Sequence, residues 1–354
     1  MKRTSRDSGF GSRAAILVGV AAVALLFVVT ATLLGGAPPA AAASAGKCAY
    51  CGARIEGDGI ISDGRSYHKS CWLQHVAPRC AICGETLSGD YVVQEGKSYH
   101  RACWEKHVAA RCSLCGEILQ GEYLKDAWGN RYHPAHRKET AACEYCGRFI
   151  SDRVTHGGVR YGDGRSVCNI CRRTAVDGAG EGRKLMAQAA ARLADVGVAV
   201  DPSRVRLELA DLTRMGEVSG DRSRLRSGYT QYESVTTVGG ARRSEAVTVY
   251  VLIGMPRLET IATLAHELTH VWLSRAERLN TRPALAEGNC NYAAMRVLAA
   301  YPGAESTFIV RKMKESTDDV YGEGLRRVIR YVDGNGVEAW LRLARTRDDF
   351  PAGY

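Results

Sequence analysis

The sequence predicts a multidomain protein with three parts: an N-terminal transmembrane helix, a series of small zinc-binding β-hairpin modules and a C-terminal α+β domain. Three observations lead to this prediction. Residues 14–36 form an uncharged apolar run, twelve of the thirteen cysteines fall between Cys48 and Cys171, and longer helix and strand patterns begin at residue 181. The 354 residues are 45% hydrophobic and 24% charged, which is typical of a folded chain and excludes a largely disordered one.

The apolar run at residues 14–36 is long enough to cross a bilayer, because about 20 helical residues span the ~30 Å hydrocarbon core. The basic residues nearest to it are Lys2, Arg3, Arg6 and Arg13 before it and Lys47 after it. This asymmetry predicts a single-pass membrane protein with residues 1–13 in the cytoplasm, residues 37–46 as a linker and the bulk of the chain extracytoplasmic. The alternative is a secreted protein, if a signal peptide is cleaved in the small-residue stretch 41–46.

A repeated pattern of metal-ligand pairs fills residues 47–176. Each repeat opens with Cys-x-x-Cys and a glycine, and after 16 to 21 further residues it closes with a second pair of Cys or His. The four sets are Cys48, Cys51, His68 and Cys71; Cys80, Cys83, His100 and Cys103; Cys112, Cys115, His133 and His136; and Cys143, Cys146, Cys168 and Cys171. Structural zinc takes four such ligands in a tetrahedron, and glycine accepts the dihedral angles of the tight turn. The pattern predicts four structural zinc ions in four tandem modules.

Two other interpretations of this region are weaker. Disulfides are expected outside the cytoplasm, but histidines in the closing pairs do not fit a disulfide framework. The net charge of +10 raises the question of nucleic-acid binding. Twelve thiolates and four zinc ions would leave the region nearly neutral, and a neutral surface binds phosphates poorly. We therefore expect no nucleic-acid partner, and the modules are better suited to bind a protein partner or to give structural support.

The C-terminal segment, residues 181–354, has the mixed pattern of an α+β domain. An alanine-rich stretch at 184–196 predicts a helix, and β-branched residues at 204–210 and 247–253 predict strands. A third apolar pattern, RLETIATLAHELTHVWL, predicts a long helix directly after the second strand.

That helix carries a candidate catalytic zinc site. His266 and His270 are four residues apart, which is the spacing that lets two imidazoles reach one metal, and Glu267 lies beside them to take a proton from water. A catalytic zinc needs a third protein ligand and an open position. Glu287, early in a helix that begins at Pro283, is the favoured third ligand, and Glu277 is its competitor.

The expected chemistry is peptide hydrolysis by a zinc-dependent endopeptidase. Zinc lowers the pKa of its water, and Glu267 takes the proton and passes it to the leaving amine. The strand at 247–253 is expected to bind the substrate by strand addition. The alternative function is a protein-interaction adaptor whose peptidase-like domain does not cleave.

The sequence leaves the roles of several residues near this centre undecided. The donor to the oxyanion could be any of Tyr292, Tyr301 or Tyr321. Cys290, three residues after Glu287, is either a buried inert thiol or a redox control point. Gly288 is expected to give room for close approach of another helix.

These motifs together resemble the DA-one family, best known as plant growth-regulating LIM-domain peptidases. The resemblance rests on YHKSCWLQHVAPRCAIC, on CEYCGRF with DGRSVCNICRRTAV, and on VLIGMPRLETIATLAHELTHVWL with AEGNC. It implies four LIM-like modules, a gluzincin-like metallopeptidase domain, His266, His270 and Glu287 as zinc ligands, and Glu267 as the base. The chain is identified as a bacterial-type member in which a membrane segment replaces the ubiquitin-interacting motifs of plant members. Eight residues separate Cys71 from Cys80, where LIM domains have two, so the modules are LIM-like.

Overall fold

The computed structural model describes residues 2–4, 46–87, 90–220, 226–236, 243–274 and 281–354. These residues form two compact units. The smaller one contains the described residues from 46 to 125 together with Gly129–His136. The larger one contains residues 2–4, Asp126–Trp128 and the described part of Arg137–Tyr354.

The described part of the chain contains fourteen strands. They are β1 (Lys2–Thr4), β2 (Gly59–Ser62), β3 (Arg65–His68), β4 (Tyr91–Gln94), β5 (Lys97–His100), β6 (Leu124–Lys125), β7 (Arg131–Tyr132), β8 (Gly158–Arg160), β9 (Ser166–Cys168), β10 (Ala175–Val176), β11 (Val205–Ala210), β12 (Gly228–Thr236), β13 (Arg243–Leu252) and β14 (Met255–Pro256).

Twelve α-helices are described as well. They are α1 (Lys69–Cys71), α2 (Arg101–His107), α3 (His136–Glu139), α4 (Asp152–Thr155), α5 (Asn169–Arg172), α6 (Ala179–Ala194), α7 (Leu212–Ser219), α8 (Arg257–Ser274), α9 (Pro283–Leu298), α10 (Ala304–Lys314), α11 (Gly322–Asn335) and α12 (Val337–Thr346). A π-helical turn, Trp72–Val76, follows α1, and a short 3-10 turn, Pro202–Arg204, precedes β11.

The smaller unit is a series of antiparallel hairpins, β2 with β3, β4 with β5 and β6 with β7. Each hairpin follows a Cys-x-x-Cys turn. The apolar cores are small; the one around the second turn consists mainly of Leu87, Val92, Tyr99 and Trp104. Apolar cores of this size bury too little surface to stabilise a folded module, so each module needs metal ligation as well.

The larger unit is built on a four-stranded sheet in the order β1-β12-β13-β11. The predicted helix at 184–196 is confirmed as α6, and the predicted strands are confirmed as β11 and β13. The expectation that residues 247–253 add a substrate strand is wrong. Most of this segment lies in β13, which pairs with β12 on one edge and β11 on the other, so no free edge remains for a peptide.

Helix α8 lies at the centre of the larger unit. Every residue from Glu259 to Trp272 is buried, including polar and charged ones, and α8 packs against α6, α9, β12 and β13. The two predicted histidines therefore lie inside the core rather than on a solvated helix face. This burial requires that each of their polar atoms has a partner.

The predicted membrane localisation is corrected by the described helices. None of them combines the length and the apolar composition needed to cross a bilayer. Helix α8 has 18 residues but carries Arg257, Glu259 and Glu267, and such charges are costly in hydrocarbon. The predicted anchor at residues 14–36 and the linker at 37–46 lie outside the described residues, apart from residue 46.

Candidate metal centres

The four predicted ligand sets of the zinc modules each converge in space. In every set the four ligand atoms lie within 4.8 Å of one another. The glycine after each Cys-x-x-Cys has a positive φ, between 72° and 84°, and its N–H donates to the carbonyl of the first cysteine. A residue with a Cβ is strained in that conformation, which explains why glycine recurs at this position.

The first histidine of each of the first three sets, His68, His100 and His133, is oriented for metal binding. Nδ1 of His68 lies 3.3 Å from Cys51 Sγ, Nδ1 of His100 lies 3.4 Å from Cys83 Sγ, and Nδ1 of His133 lies 3.5 Å from Cys115 Sγ. The Nε2 of each ring faces a backbone carbonyl, at 3.1, 3.3 and 3.4 Å. An N–H donated to that carbonyl fixes the tautomer and leaves Nδ1 free to bind zinc.

The thiol chemistry also fits zinc better than disulfides. All thirteen cysteines are free. Cys48, Cys80 and Cys112 are buried, which raises their pKa, but the backbone N–H groups that face each sulfur lower the pKa to about 6. A thiol with this pKa is largely ionised at neutral pH, and the thiolate is the form that binds metal.

The fourth set differs from the others because it belongs to the larger unit. Cys143, Cys146, Cys168 and Cys171 are all buried and form one core cluster with α6, α8 and β13. Strand β10, just after the set, pairs with β14, and β14 leads directly into α8. The Gly254 N–H also donates to the Val176 carbonyl at 2.9 Å. The cluster is thus attached to the start of the helix that carries His266 and His270.

A buried arginine strengthens this attachment. Arg165 forms an ion pair with Asp163 at 2.8 Å, and both side chains are about 95% buried. Its guanidinium also donates to the Ile253 carbonyl at 2.9 Å and to the Tyr145 hydroxyl. Tyr145 lies between the first two cysteines of the fourth set, so Arg165 links the cysteine cluster to the chain just before β14. Burial raises the pKa of Asp163, but the contacts with Arg165 lower it below its ordinary value.

The fifth cluster brings together His266, His270 and Glu287. His266 Nε2 lies 3.0 Å from Glu287 Oε2, His270 Nε2 lies 3.3 Å from the same oxygen, and the two Nε2 atoms are 3.2 Å apart. The three atoms form a nearly equilateral triangle. Four-coordinate zinc with bonds of about 2.0–2.2 Å separates its ligand atoms by roughly 3.4 Å. The donor set and its spacing therefore fit a zinc ion.

The electrostatics of this cluster favour a bound cation. Burial would lower the pKa of His270, but the neighbouring Cys290 and Glu287 raise it well above its ordinary value. Burial would raise the pKa of Glu287, but His270 and His266 lower it. A carboxylate that is 1% exposed needs positive charge beside it, and either a protonated imidazole or a metal ion supplies that charge.

Asn291 orients His266 and was missed in the sequence. Its Oδ1 lies 2.9 Å from His266 Nδ1, and its Nδ2 donates to the Tyr321 carbonyl at 3.1 Å. With Nδ1–H donated to the amide oxygen, Nε2 is left as the ligand atom. The available signal was the spacing on α9, because Asn291 lies four residues after Glu287 and so on the same helix face.

Strand β12 encloses Glu267, and this contact was also missed in the sequence. Thr230 Oγ1 donates to Glu267 Oε2 at 2.6 Å, whereas Glu267 Oε1 is buried and has no hydrogen-bond partner among the described residues. At Gly228 an added Cβ would lie 2.7 Å from Oε1 and 2.5 Å from Thr263 Cγ2. The carboxylate therefore has one oxygen held in place and one oxygen free to accept a proton.

Gly288 lets α9 approach α11 closely, as expected. A Cβ at Gly288 would lie 2.4 Å from the Gly324 carbonyl oxygen, so only glycine fits at this crossing. Cys290 is fully buried, and its sulfur belongs to one potential ligand cluster with His266 and His270. Burial raises the pKa of its thiol to about 11. Glu277 lies outside the described residues.

The three predicted tyrosines lie in different places. Tyr292 packs its ring on Trp340, with centroids 4.7 Å apart, and its hydroxyl accepts from Arg296. Tyr301 follows the end of α9. The Tyr321 ring centroid lies 6.4 Å from that of His266, so Tyr321 alone of the three has its ring against a predicted ligand.

Comparison with known protein families agrees with these features. Residues 220–303, which include His266, His270 and Glu287, match a family model described as DA1-like, Protein DA1. Residues 48–108 match the LIM domain model, so the first two modules fit it in spite of their longer linker.

Three curated plant proteins are similar to parts of the chain. Protein DA1-related 2 of Arabidopsis thaliana is 30% identical over 190 residues, which cover 46% of this chain and 36% of that protein. Protein DA1-related 1 of the same plant is 36% identical over 89 residues, 25% of this chain and 16% of that protein. LIM domain-containing protein HDR3 of Oryza sativa subsp. japonica is 26% identical over 195 residues, 46% of this chain and 38% of that protein. The chain thus spans less than two-fifths of each relative. The matches support the resemblance to the DA-one family but not a bacterial-type member or an N-terminal membrane segment.

Proposed function

We propose that this chain is a zinc-dependent protein endopeptidase. His266, His270 and Glu287 would hold the catalytic zinc, and Glu267 would act as the general base. The observation that carries the proposal is the triangle of two Nε2 atoms and one carboxylate oxygen with sides of 3.0 to 3.3 Å. When bound, zinc would polarise the attacking water and the peptide carbonyl.

Glu267 is suited to proton transfer because its two oxygens have different surroundings. Oε2 is fixed by Thr230, and Oε1 is a buried acceptor with no partner among the described residues. In the proposed reaction Oε1 takes one proton from water as the water oxygen bonds to the carbonyl carbon. The same proton then moves to the amide nitrogen as the C–N bond breaks. The products are a carboxylic acid and an amine, and Glu267 returns to its carboxylate form.

The zinc modules are proposed to bind a protein partner. The match to the LIM domain model supports this role, because LIM domains commonly mediate protein–protein contacts. The first three ligand sets lie in the smaller unit, and the catalytic residues lie in the larger one. Loss of partner binding and loss of cleavage should therefore be separable by mutation.

The substitution Glu267→Gln tests the proposal. The amide keeps the size of the side chain but cannot accept a proton, so hydrolysis of fluorescein-labelled casein should fall at least about 100-fold. Zinc content, measured by plasma mass spectrometry, should stay at five per chain. Glu338→Gln, an exposed site on α12, is the matched control and should retain wild-type activity.

The outcomes separate the peptidase from the adaptor. A wild-type chain that binds five zinc ions but does not cleave casein would favour the non-cleaving adaptor. Full activity of the Glu267→Gln variant would exclude Glu267 as the base.

A further inference from the structure

One face of β12 runs along α8 beside the candidate catalytic residues. Gly228 and Thr230 both face Glu267. A Cβ added at Gly228 would lie 2.7 Å from Glu267 Oε1, and Thr230 donates a 2.6 Å hydrogen bond to Oε2. Side chains alternate across a strand, so the next residue on this face is Tyr232. Two strand residues advance about 6.7 Å, and one helical turn advances about 5.4 Å. Tyr232 is therefore one turn further along α8 than Thr230, at the level of His270.

The environment of Tyr232 agrees with this position. Its hydroxyl is buried and has no hydrogen bond of ordinary geometry with the described residues, although the Ser274 hydroxyl is near enough to lower its pKa. The nearest hydroxyl on α8, that of Ser274, donates to the Val271 carbonyl at 2.9 Å. Burial raises the pKa of Tyr232, and the charge on His270 opposes this rise more than any other group does. A tyrosine hydroxyl, whose ordinary pKa is about 10, is a neutral donor at pH 7.

A buried hydroxyl without a partner costs free energy, and such groups in folded proteins generally have a reason. We propose that the Tyr232 hydroxyl donates a hydrogen bond to the carbonyl oxygen of the scissile peptide bond. The inference rests on the proposed peptidase function and assigns the oxyanion donor of that same site. Tyr232 keeps its proton throughout, and its hydrogen bond strengthens as negative charge develops on the oxygen.

The other tyrosines fit this role less well. Tyr292 is engaged with Trp340 and Arg296. The Tyr321 ring packs beside His266, and the Tyr321 backbone carbonyl accepts a hydrogen bond from Asn291. Of the three tyrosines predicted from the sequence, Tyr321 is therefore the alternative candidate for the oxyanion donor. Tyr232 approaches from the opposite element, the strand that also holds Glu267.

The test compares Tyr232→Phe with wild type. Phenylalanine keeps the ring and removes the donor, so kcat for casein hydrolysis should fall about 100-fold while KM changes less than about threefold. A phosphinic tetrapeptide, whose tetrahedral P–O⁻ mimics the developing oxyanion, should bind about 100-fold more weakly in calorimetric titration. Tyr250→Phe is the matched control, because Tyr250 donates to Gln231 on the other face of the sheet, and it should match wild type in both measurements.

Stability separates catalysis from structure. Because the hydroxyl has no hydrogen bond of ordinary geometry, its removal should leave the melting temperature unchanged, whereas removal of a structural hydroxyl held by Ser274 would lower it. Wild-type kcat and phosphinate affinity in Tyr232→Phe would overturn the inference, as would finding both losses in Tyr321→Phe instead. If the wild-type protein neither cleaves casein nor binds the phosphinic peptide, the proposed function itself fails, and this inference fails with it.

Discussion

The fourth cysteine set should stabilise the candidate catalytic domain, although its pattern repeats that of the separate modules. The perturbation that tests this is Cys143→Ser, and the matched control is Cys80→Ser. Both residues are the first cysteine of their repeat, and both are at most 2% exposed. Cys143 belongs to the core that includes α8, whereas Cys80 belongs to a small core of the other unit.

The expected size of the effect follows from the burial of the site. Structural zinc contributes about 10–16 kcal/mol to the folding of small zinc domains. A domain has only about 5–15 kcal/mol of stability in total. If the loss of one ligand removes even a third to a half of the free energy that zinc contributes, the free energy of unfolding of the larger unit falls by about 5 kcal/mol. For a unit of about 200 residues this corresponds to a fall in Tm of roughly 10–20 °C.

Two measurements test this prediction. Calorimetry should show that Cys143→Ser lowers the melting transition of the larger unit, whereas Cys80→Ser leaves that transition in place. Hydrogen exchange with mass spectrometry should show faster exchange in peptides from α8 and β14 in Cys143→Ser only. Zinc content must fall by one ion in both variants. If Cys143→Ser loses its zinc and α8 keeps wild-type protection, the fourth set is not a structural part of this domain.

Two further predictions concern single contacts. Thr230→Val should lower kcat about 10-fold or more with zinc content unchanged, because Glu267 loses a charge-assisted hydrogen bond worth about 1.5–3 kcal/mol. Thr230→Ser, which keeps the hydroxyl, should retain most of the wild-type kcat. A wild-type kcat in Thr230→Val would show that Glu267 does not need this hydrogen bond. Burial and the nearby Glu259 raise the pKa of Glu305 above its ordinary 4.5. Folding therefore favours the protonated form, and this stability is present below about pH 4.5 and lost as the pH rises through the raised pKa. Glu305→Gln should raise the urea midpoint at pH 7, by an amount that shrinks toward pH 4; an equal rise at both pH values would contradict this account.

The sequence predicted the features that depend on local spacing. His266 and His270 share a helix face because they are four residues apart, and the cysteine pairs converge because each turn is closed by a glycine. Glu287 was predicted from the helix that contains it, and the structure brings its carboxylate to the two imidazoles. These features need only one short segment, or two segments that are close together in the sequence.

The features that the sequence did not reveal depend on pairing over longer distances. Thr230 and Glu267 are 37 residues apart, and their contact requires the register between β12 and β13 as well as the packing of α8 on the sheet. No local pattern in GYTQYES distinguishes the face of β12 that meets α8 from the opposite face. The sequence did not reveal, for the same reason, that the fourth cysteine set is attached to the start of α8. It depends on two-residue strands, β10 and β14, which are too short to recognise from alternation.

Helix α8 receives each of its constraints from a different neighbour, and this arrangement makes their roles separable. The fourth cysteine set and Arg165 hold the chain that enters α8, β12 holds Glu267 in the middle, and α9 supplies Glu287 and Asn291 from the other side. A change in the fourth set should therefore act through the folding of α8, a change in β12 through kcat with metal retained, and a change in α9 through metal affinity. A β12 variant that lost zinc while α8 remained protected from exchange would contradict this division, because it would mean that the strand takes part in metal binding itself.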